Sequence, residues 1–278
     1  MSMLKNWCGC NPQGRNGENM DELFKKLYDY IEPFETDWRK HIQPASNELI
    51  DELIEVTKVG GYAKRIPASY LKYLELMGEY DSGLISELRI GGEPVKVSKL
   101  IGALKRYGYK EDLEKKRFPF AVDPVIKRIM FFDLTKENSE EVWYKGGSKI
   151  IRLSESFDKL MFQRVFDTII HYKYSIYSII TEERFDMAAE EQNIEKDELY
   201  KKVIQRIESH GIKETWFSEQ NYYRGEGDGI AIGIEYYGGI SCKIVSETEE
   251  KILFLREELS NVCNGQKFID RGVSWWVP

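Results

Sequence analysis

"KRIPASYLKYLELMGEYDSGLI", residues 64–85, joins a proline-started amphipathic turn, a glycine stop and an acidic tip. Pro67 suits the first helical turn, where a missing N–H costs little. Tyr70, Leu71, Leu74 and Met77 then share one face, and Gly78 offers a left-handed C-terminal cap. Past Glu79, Tyr80, Asp81 and Ser82 the period changes. Ile85, Leu88, Ile90, Val95 and Val97 suggest short extended pieces broken at Gly91 and Gly92. A helix that hands over to strands in this way points to a mixed α+β domain.

On the N-terminal side, residues 5–20 are rich in Asn and Gly and read as an arm or loop. Leu23, Phe24, Leu27, Tyr28 and Ile31 form the stripe of a first helix that Pro33 ends. A second helix has Ser46 as its N-cap and Leu49, Ile50, Leu53 and Ile54 as its buried face, with Gly60 and Gly61 as its stop. On the C-terminal side, Ser98 caps a short helix through Leu100, Ile101 and Leu104. "FPFAV", "IKRIMFFDL", "EEVWY" and "KIIRL" then read as successive strands. A closing helix starts at Ser154 or Ser156, with Phe157, Leu160, Met161, Val165, Phe166 and Ile169 inward.

From about residue 171 a second pattern begins. "YKYSIYSII" fits either period, and a clear helix follows with Leu199, Val203, Ile204 and Ile207 inward and Gly211 as its stop. "ETWFSEQNYY", "GIAIGIEYY" and "GISCKIV" read as strands before the helix "TEEKILFLREELS". The expected unit is β-α-β-β-β-α, an open sheet with helices on one face. The expected division is therefore an arm and helix over 1–44, an α+β domain with antiparallel strands over 45–170, and a smaller α+β domain over 171–278.

A chain of 278 residues, 42% hydrophobic and 31% charged, can bury two cores under a solvated surface. Asp and Glu number 47 against 40 Lys and Arg, a net charge of -7 that repels nucleic acid and steers in basic proteins. No secretory leader or membrane-spanning run is evident, so a cytoplasmic location is expected. Four cysteines, Cys8, Cys10, Cys242 and Cys263, are too few and scattered for a disulfide framework and are expected as free thiols.

Chemistry-bearing motifs are sparse. Cys8-Gly-Cys10 lacks a second ligand pair, and His41, His171 and His210 have no metal-ligand spacing, so neither metal nor cofactor is expected. His210 beside Gly211 suits a helix C-terminus. Gly225, Gly227, Gly229 and Gly233 fit a hairpin better than a phosphate loop, since Glu226 and Asp228 would repel phosphate. Basic residues from Lys105 to Arg128 are interrupted by Glu111, Asp112 and Glu114, which reads as a mixed-charge surface. No nucleophile elbow, kinase or P-loop motif is visible. An enzyme would need a concave polar site around "ETWFSEQNYY".

Three stretches carry a resemblance: "IPASYLKYLELMG", "FPFAVD" through "IMFFDL", and "RLSESFDKLM". Together, over roughly residues 45–170, they resemble the SUKH superfamily, which joins fungal cell-wall assembly regulators to bacterial immunity proteins against secreted toxins. Pro67, Tyr70, Leu74, Gly78, Asp133, Ser156 and Phe157 stand at family-like positions. The chain departs from the pattern at Glu79 and at "DPVIKR", where the family has glycines. The resemblance implies a non-enzymatic, protein-binding scaffold. Its first expected partner is a toxin, such as a basic nuclease, blocked by shape and charge; the alternative is an adaptor in cell-envelope assembly. Binding is expected at the tip Glu79, Tyr80 and Asp81, or at an exposed edge near Trp143 and Tyr144.

Overall fold

The computed structural model describes residues 16–85, 96–123, 128–169, 174–227 and 229–275. Cys8, Cys10, Leu88, Ile90, Gly91, Gly92, Val95, His171 and Asp228 lie outside the described residues. The fold is α+β, and the chain divides into two compact units, Met1–Val165 and Phe166–Pro278. The N-terminal helix, expected within a separate 1–44 segment, belongs to the first unit, where Phe24, Leu27 and Ile31 are buried.

The first unit opens with helices α1 (Asn16–Ile31), α2 (Trp38–His41) and α3 (Asn47–Val56). Ser46 caps α3 as expected, its hydroxyl accepting the Leu49 N–H at 3.3 Å. Pro67 stands one position before α4 (Ala68–Met77), at its N-cap. Gly78 is not a left-handed cap: its φ is -66°. It is needed because a Cβ there would lie 2.7 Å from the Leu74 carbonyl oxygen and 2.9 Å from the Ala45 side chain. Val97, read from sequence as extended, opens α5 (Val97–Tyr107), and the left-handed cap falls at Gly108, φ 77°.

After α6 (Lys110–Glu114) the four expected strands form an antiparallel meander: β1 (Arg117–Asp123), β2 (Arg128–Asp133), β3 (Val142–Gly146) and β4 (Lys149–Ser154), in that spatial order. α7 (Phe157–Arg164) closes the unit with Ser156 as its cap, the Lys159 N–H bonding the hydroxyl at 3.2 Å. One face of the sheet meets an aromatic core. Tyr70 lies 5.9 Å from Phe118, 5.6 Å from Phe120, 5.3 Å from Phe132 and 5.2 Å from Phe157, centroid to centroid. Such contacts add roughly 0.5–1.5 kcal/mol each beyond the area they bury.

The second unit is an antiparallel six-stranded sheet, order β10-β5-β9-β8-β7-β6. Its strands are β5 (Tyr174–Ile180), β6 (Lys213–Glu214), β7 (Tyr222–Gly227), β8 (Ile230–Tyr237), β9 (Gly239–Ser246) and β10 (Ile269–Trp275). Its helices are α8 (Glu182–Glu191), α9 (Lys196–Ser209) and α10 (Glu249–Val262). The core is aliphatic. Ile176, Ile180, Ile232, Ile234, Ile240 and Ile244 meet Leu199, Val203 and Ile207 from α9 and Ile252, Leu255 and Leu259 from α10. α8 and β10 were not expected from sequence, and "ETWFSEQNYY" is mostly turn, with the strand starting only at Tyr222. Cys242 and Cys263 are buried thiols outside any disulfide, and burial pushes the Cys263 thiol up to about 12. Among the described residues no helix is long and apolar enough to cross a membrane.

Candidate functional site

The expected acidic tip is a joint in the fold. Asp81 is 1% exposed, not a surface residue. Its carboxylate accepts the Tyr73 hydroxyl at 2.8 Å and the N–H groups of Gly83 at 3.0 Å and Ile85 at 2.8 Å. Burial holds its pKa above the ordinary carboxylate range despite these bonds. The carboxylate of Glu79 accepts the Ser98 N–H at 2.8 Å and its hydroxyl at 2.9 Å, so it serves the first turn of α5. The Tyr80 backbone bridges to Gln43, with Gln43 N–H donating to its carbonyl at 2.8 Å. Lys96 sits 5.6 Å from the centre of the Tyr80 ring. A short polar run of this kind looks like a solvated turn; the donors that bury Asp81 come from Tyr73 and from backbone that a sequence does not bring together.

Trp143 and Tyr144 are both half-buried, but not on an edge: β3 is an inner strand between β2 and β4. Strand alternation sends them to opposite faces. Tyr144 pairs with Met130 and Ile151 on the face that carries Phe132 and Val142. Trp143 lies on the outer face in one row with Phe131 and Arg152, beside the row of Ile129, Lys145 and Ile150.

Around Trp143 this outer face is a lattice of mixed charge. Lys136 stacks on the indole, 3.4 Å from the ring centre. Glu141 pairs with Arg152 at 3.5 Å and with Lys136 at 3.9 Å. Asp112, delivered from α6, accepts Arg117 Nη1 at 2.8 Å and Lys145 Nζ at 2.8 Å. Arg117 in turn lies over Phe131, 5.1 Å from its centroid. Asp133 adds a further carboxylate, bonded to Thr135 at 2.6 Å. The acidic surplus of the whole chain is absent here: cations and carboxylates interleave around Trp143 and Phe131. Ile150 is 40% exposed beside them. Trp143 Nε1 and Arg117 Nε are buried and find no acceptor among the described residues, an arrangement that costs free energy in the isolated chain.

Two carboxyls nearby in sequence are perturbed together. Burial raises the pKa of Asp158, whose Oδ1 is buried with no partner among the described residues, and burial followed by the Asp158 charge raises that of Glu140. In the second unit His210 bonds Glu258 at 2.9 Å at the end of α9. A groove of about 590 Å³ lies between α9 and α10, open to solvent and lined by Lys202, Gln205, Arg206, Asn261 and Asn264. Its Arg206 is already held by Glu258 at 2.6 Å. Among the described residues no group of three or more His, Cys, Asp or Glu side chains is placed to hold a metal ion. No family model, no curated protein and no solved structure matches the chain.

Proposed function

We propose that the chain is a protein-binding immunity protein that neutralises a cognate toxin by covering part of its surface, and that the outer sheet face around Trp143 is the surface it uses. The observation that carries this reading is the composition of that face. A half-buried Trp stacked by Lys136, flanked by Arg152 and Glu141 and bordered by exposed Ile150, is the mixture of aromatic anchor and polar rim found at protein interfaces. The inter-strand ladder and the aromatic core behind it keep the face rigid, which lowers the entropy lost on docking. The SUKH-like motifs supply the toxin as the expected partner.

One observation favours the second reading, an adaptor for a partner of no strong charge. A basic nuclease would be drawn to an acidic face, and this face balances its charges.

The test is co-expression with the toxin encoded beside the gene, scored by growth, with parent, Ile150→Lys and Trp143→Ala chains. Rescue by the parent and its loss in both variants, each shown folded by circular dichroism, is the expected result. Truncating a central aromatic anchor is expected to weaken the complex by about 2 kcal/mol or more. Full rescue by both variants would place the interface elsewhere. No rescue by the parent would remove the toxin.

A further inference from the structure

The second unit holds a cation pair that the partner-binding reading does not use. Arg224 on β7, Gly233 on β8, Lys243 on β9 and Tyr177 on β5 stand in one row across the sheet. The neighbours of that row on each strand, such as Tyr223, Ile234 and Cys242, lie in the helix-covered core, so alternation puts the row on the opposite face. At its centre sits the segment Phe166–Asp167, part of a π-helical turn, Val165–Ile169. Arg224 grips the Asp167 carboxylate with two bonds, Nε at 3.2 Å and Nη2 at 2.8 Å. Lys243 Nζ donates to the Asp167 carbonyl at 2.8 Å. The Phe166 ring lies over Gly233, 3.4 Å from where a Cβ would stand. It also meets Phe217 edge-on at 6.0 Å.

Three features make this more than chain packing. The Arg224 backbone is pre-set: its N–H bonds Ser218 Oγ at 2.9 Å, and its carbonyl accepts the Ser218 hydroxyl at 3.0 Å and the Thr215 N–H at 2.8 Å. The cations are under-satisfied, since Lys243 is given a backbone carbonyl in place of a carboxylate and Arg224 Nη1 is buried without an acceptor among the described residues. Burial also depresses the Lys243 ammonium, although the Asp167 charge acts to raise it. Finally, the contact opens to solvent on the side of its occupant: the Arg224 side chain is 7% exposed and that of Asp167 36%. Both residues of the occupant lie in a π turn, a form that is rare and frequent at functional sites.

We propose that this row is a peptide-recognition site for an aromatic residue followed by an acidic one, which the chain's own Phe166–Asp167 fills in cis. The glycine is the floor for the ring, Arg224 the fork for the carboxylate, and Lys243 the donor to the acidic residue's own backbone carbonyl. A tethered occupant competes at an effective concentration in the millimolar range. A partner's aromatic–acidic peptide therefore binds weakly until the tethered one is displaced. The site lies within the second unit, so its failure leaves the reading of the Trp143 face untouched.

The probe is a fluorescein-labelled peptide of residues 163–169, QRVFDTI, followed by anisotropy with the full chain. The expected result is at least about tenfold tighter binding to F166A/D167N than to the parent, because the competitor is gone. That binding should be lost when R224Q is added, and lost for the control peptide QRVFNTI. Three results would overturn the proposal: a folded double variant that binds no better than the parent, equal binding of both peptides, or indifference to R224Q. If F166A/D167N does not fold, D167N alone carries the same expectation. If D167N does not fold either, the segment is a structural member and the proposal fails.

Discussion

The two sheets of this protein solve the same problem with different side chains. The four-stranded sheet of the first unit packs rings, with Tyr70 at the hub of Phe118, Phe120, Phe132 and Phe157. The six-stranded sheet of the second unit packs isoleucines against three helices. Rings bury more area per residue and fix mutual angles, so the aromatic core concentrates its stability in a few positions, whereas the aliphatic core spreads it over many. The faces turned away from these cores differ as well: the first carries interleaved charges around Trp143, the second a cation pair closed by Phe166–Asp167.

The sharpest way to break that contrast is to truncate one residue in each core. Phe132→Ala should cost about 4–5 kcal/mol, while Ile232→Ala should cost about 2–3 kcal/mol, both read by urea unfolding. Equal losses would mean that stability is no more concentrated in the rings than in the isoleucines. A smaller effect tests the joint below the aromatic core. Glu79→Ala removes the carboxylate that serves the first turn of α5 and should cost about 1 kcal/mol in the same assay. No loss would return Glu79 to the surface.

The smallest expected effect is on pH dependence. Burial holds the Asp158 carboxyl above its ordinary range, so the folded state keeps a proton that the unfolded chain releases near a pKa of about 3.9. The folded state then binds more protons than the unfolded one, and stability falls as pH rises from that unfolded value through the raised one. Asp158→Asn should flatten this part of the stability curve without abolishing it, because Asp81 and Glu140 shift in the same direction. An unchanged slope between pH 4 and 7 would show that Asp158 does not titrate as its burial implies.

Much of the fold is legible in the sequence wherever one signal suffices. Ser46 and Ser156 announce helix starts because a hydroxyl beside an apolar stripe has one local use; Ser46 caps as expected, and of the two serines offered for the closing helix Ser156 is the cap while Ser154 ends β4. The four-strand meander follows from short apolar runs with turns between them. What escapes is set by distant partners. Gly78 has the sequence setting of a left-handed cap, yet the reason for glycine there is the close approach of the Leu74 backbone and the Ala45 side chain. Helix α8 hides because its inward face is one ring, Phe185, and two methyl groups, Ala188 and Ala189, which leave a faint stripe. Strand β10 hides because the bulge between Asp270 and Gly272 breaks its alternation.

The candidate site shows the same limit. Trp143 and Tyr144 are adjacent in sequence, and period-two alternation parts them, but which face is the outer one depends on where Phe132 and Phe157 pack. Glu79, Tyr80 and Asp81 have the composition of an exposed turn; only the Tyr73 hydroxyl and two backbone donors converging on Asp81 show that it is core.

The central claim is that Asp81 holds the first unit together whereas Ile150, beside the Trp143 row, contributes little to stability. Equilibrium urea unfolding of Asp81→Ala and Ile150→Lys beside the parent tests it most directly. Asp81→Ala strands three buried or half-buried donors and should cost about 3 kcal/mol, while Ile150→Lys on the outer face should stay within about 0.5 kcal/mol of the parent. A stable Asp81→Ala chain, or an Ile150→Lys chain that loses as much, would contradict it.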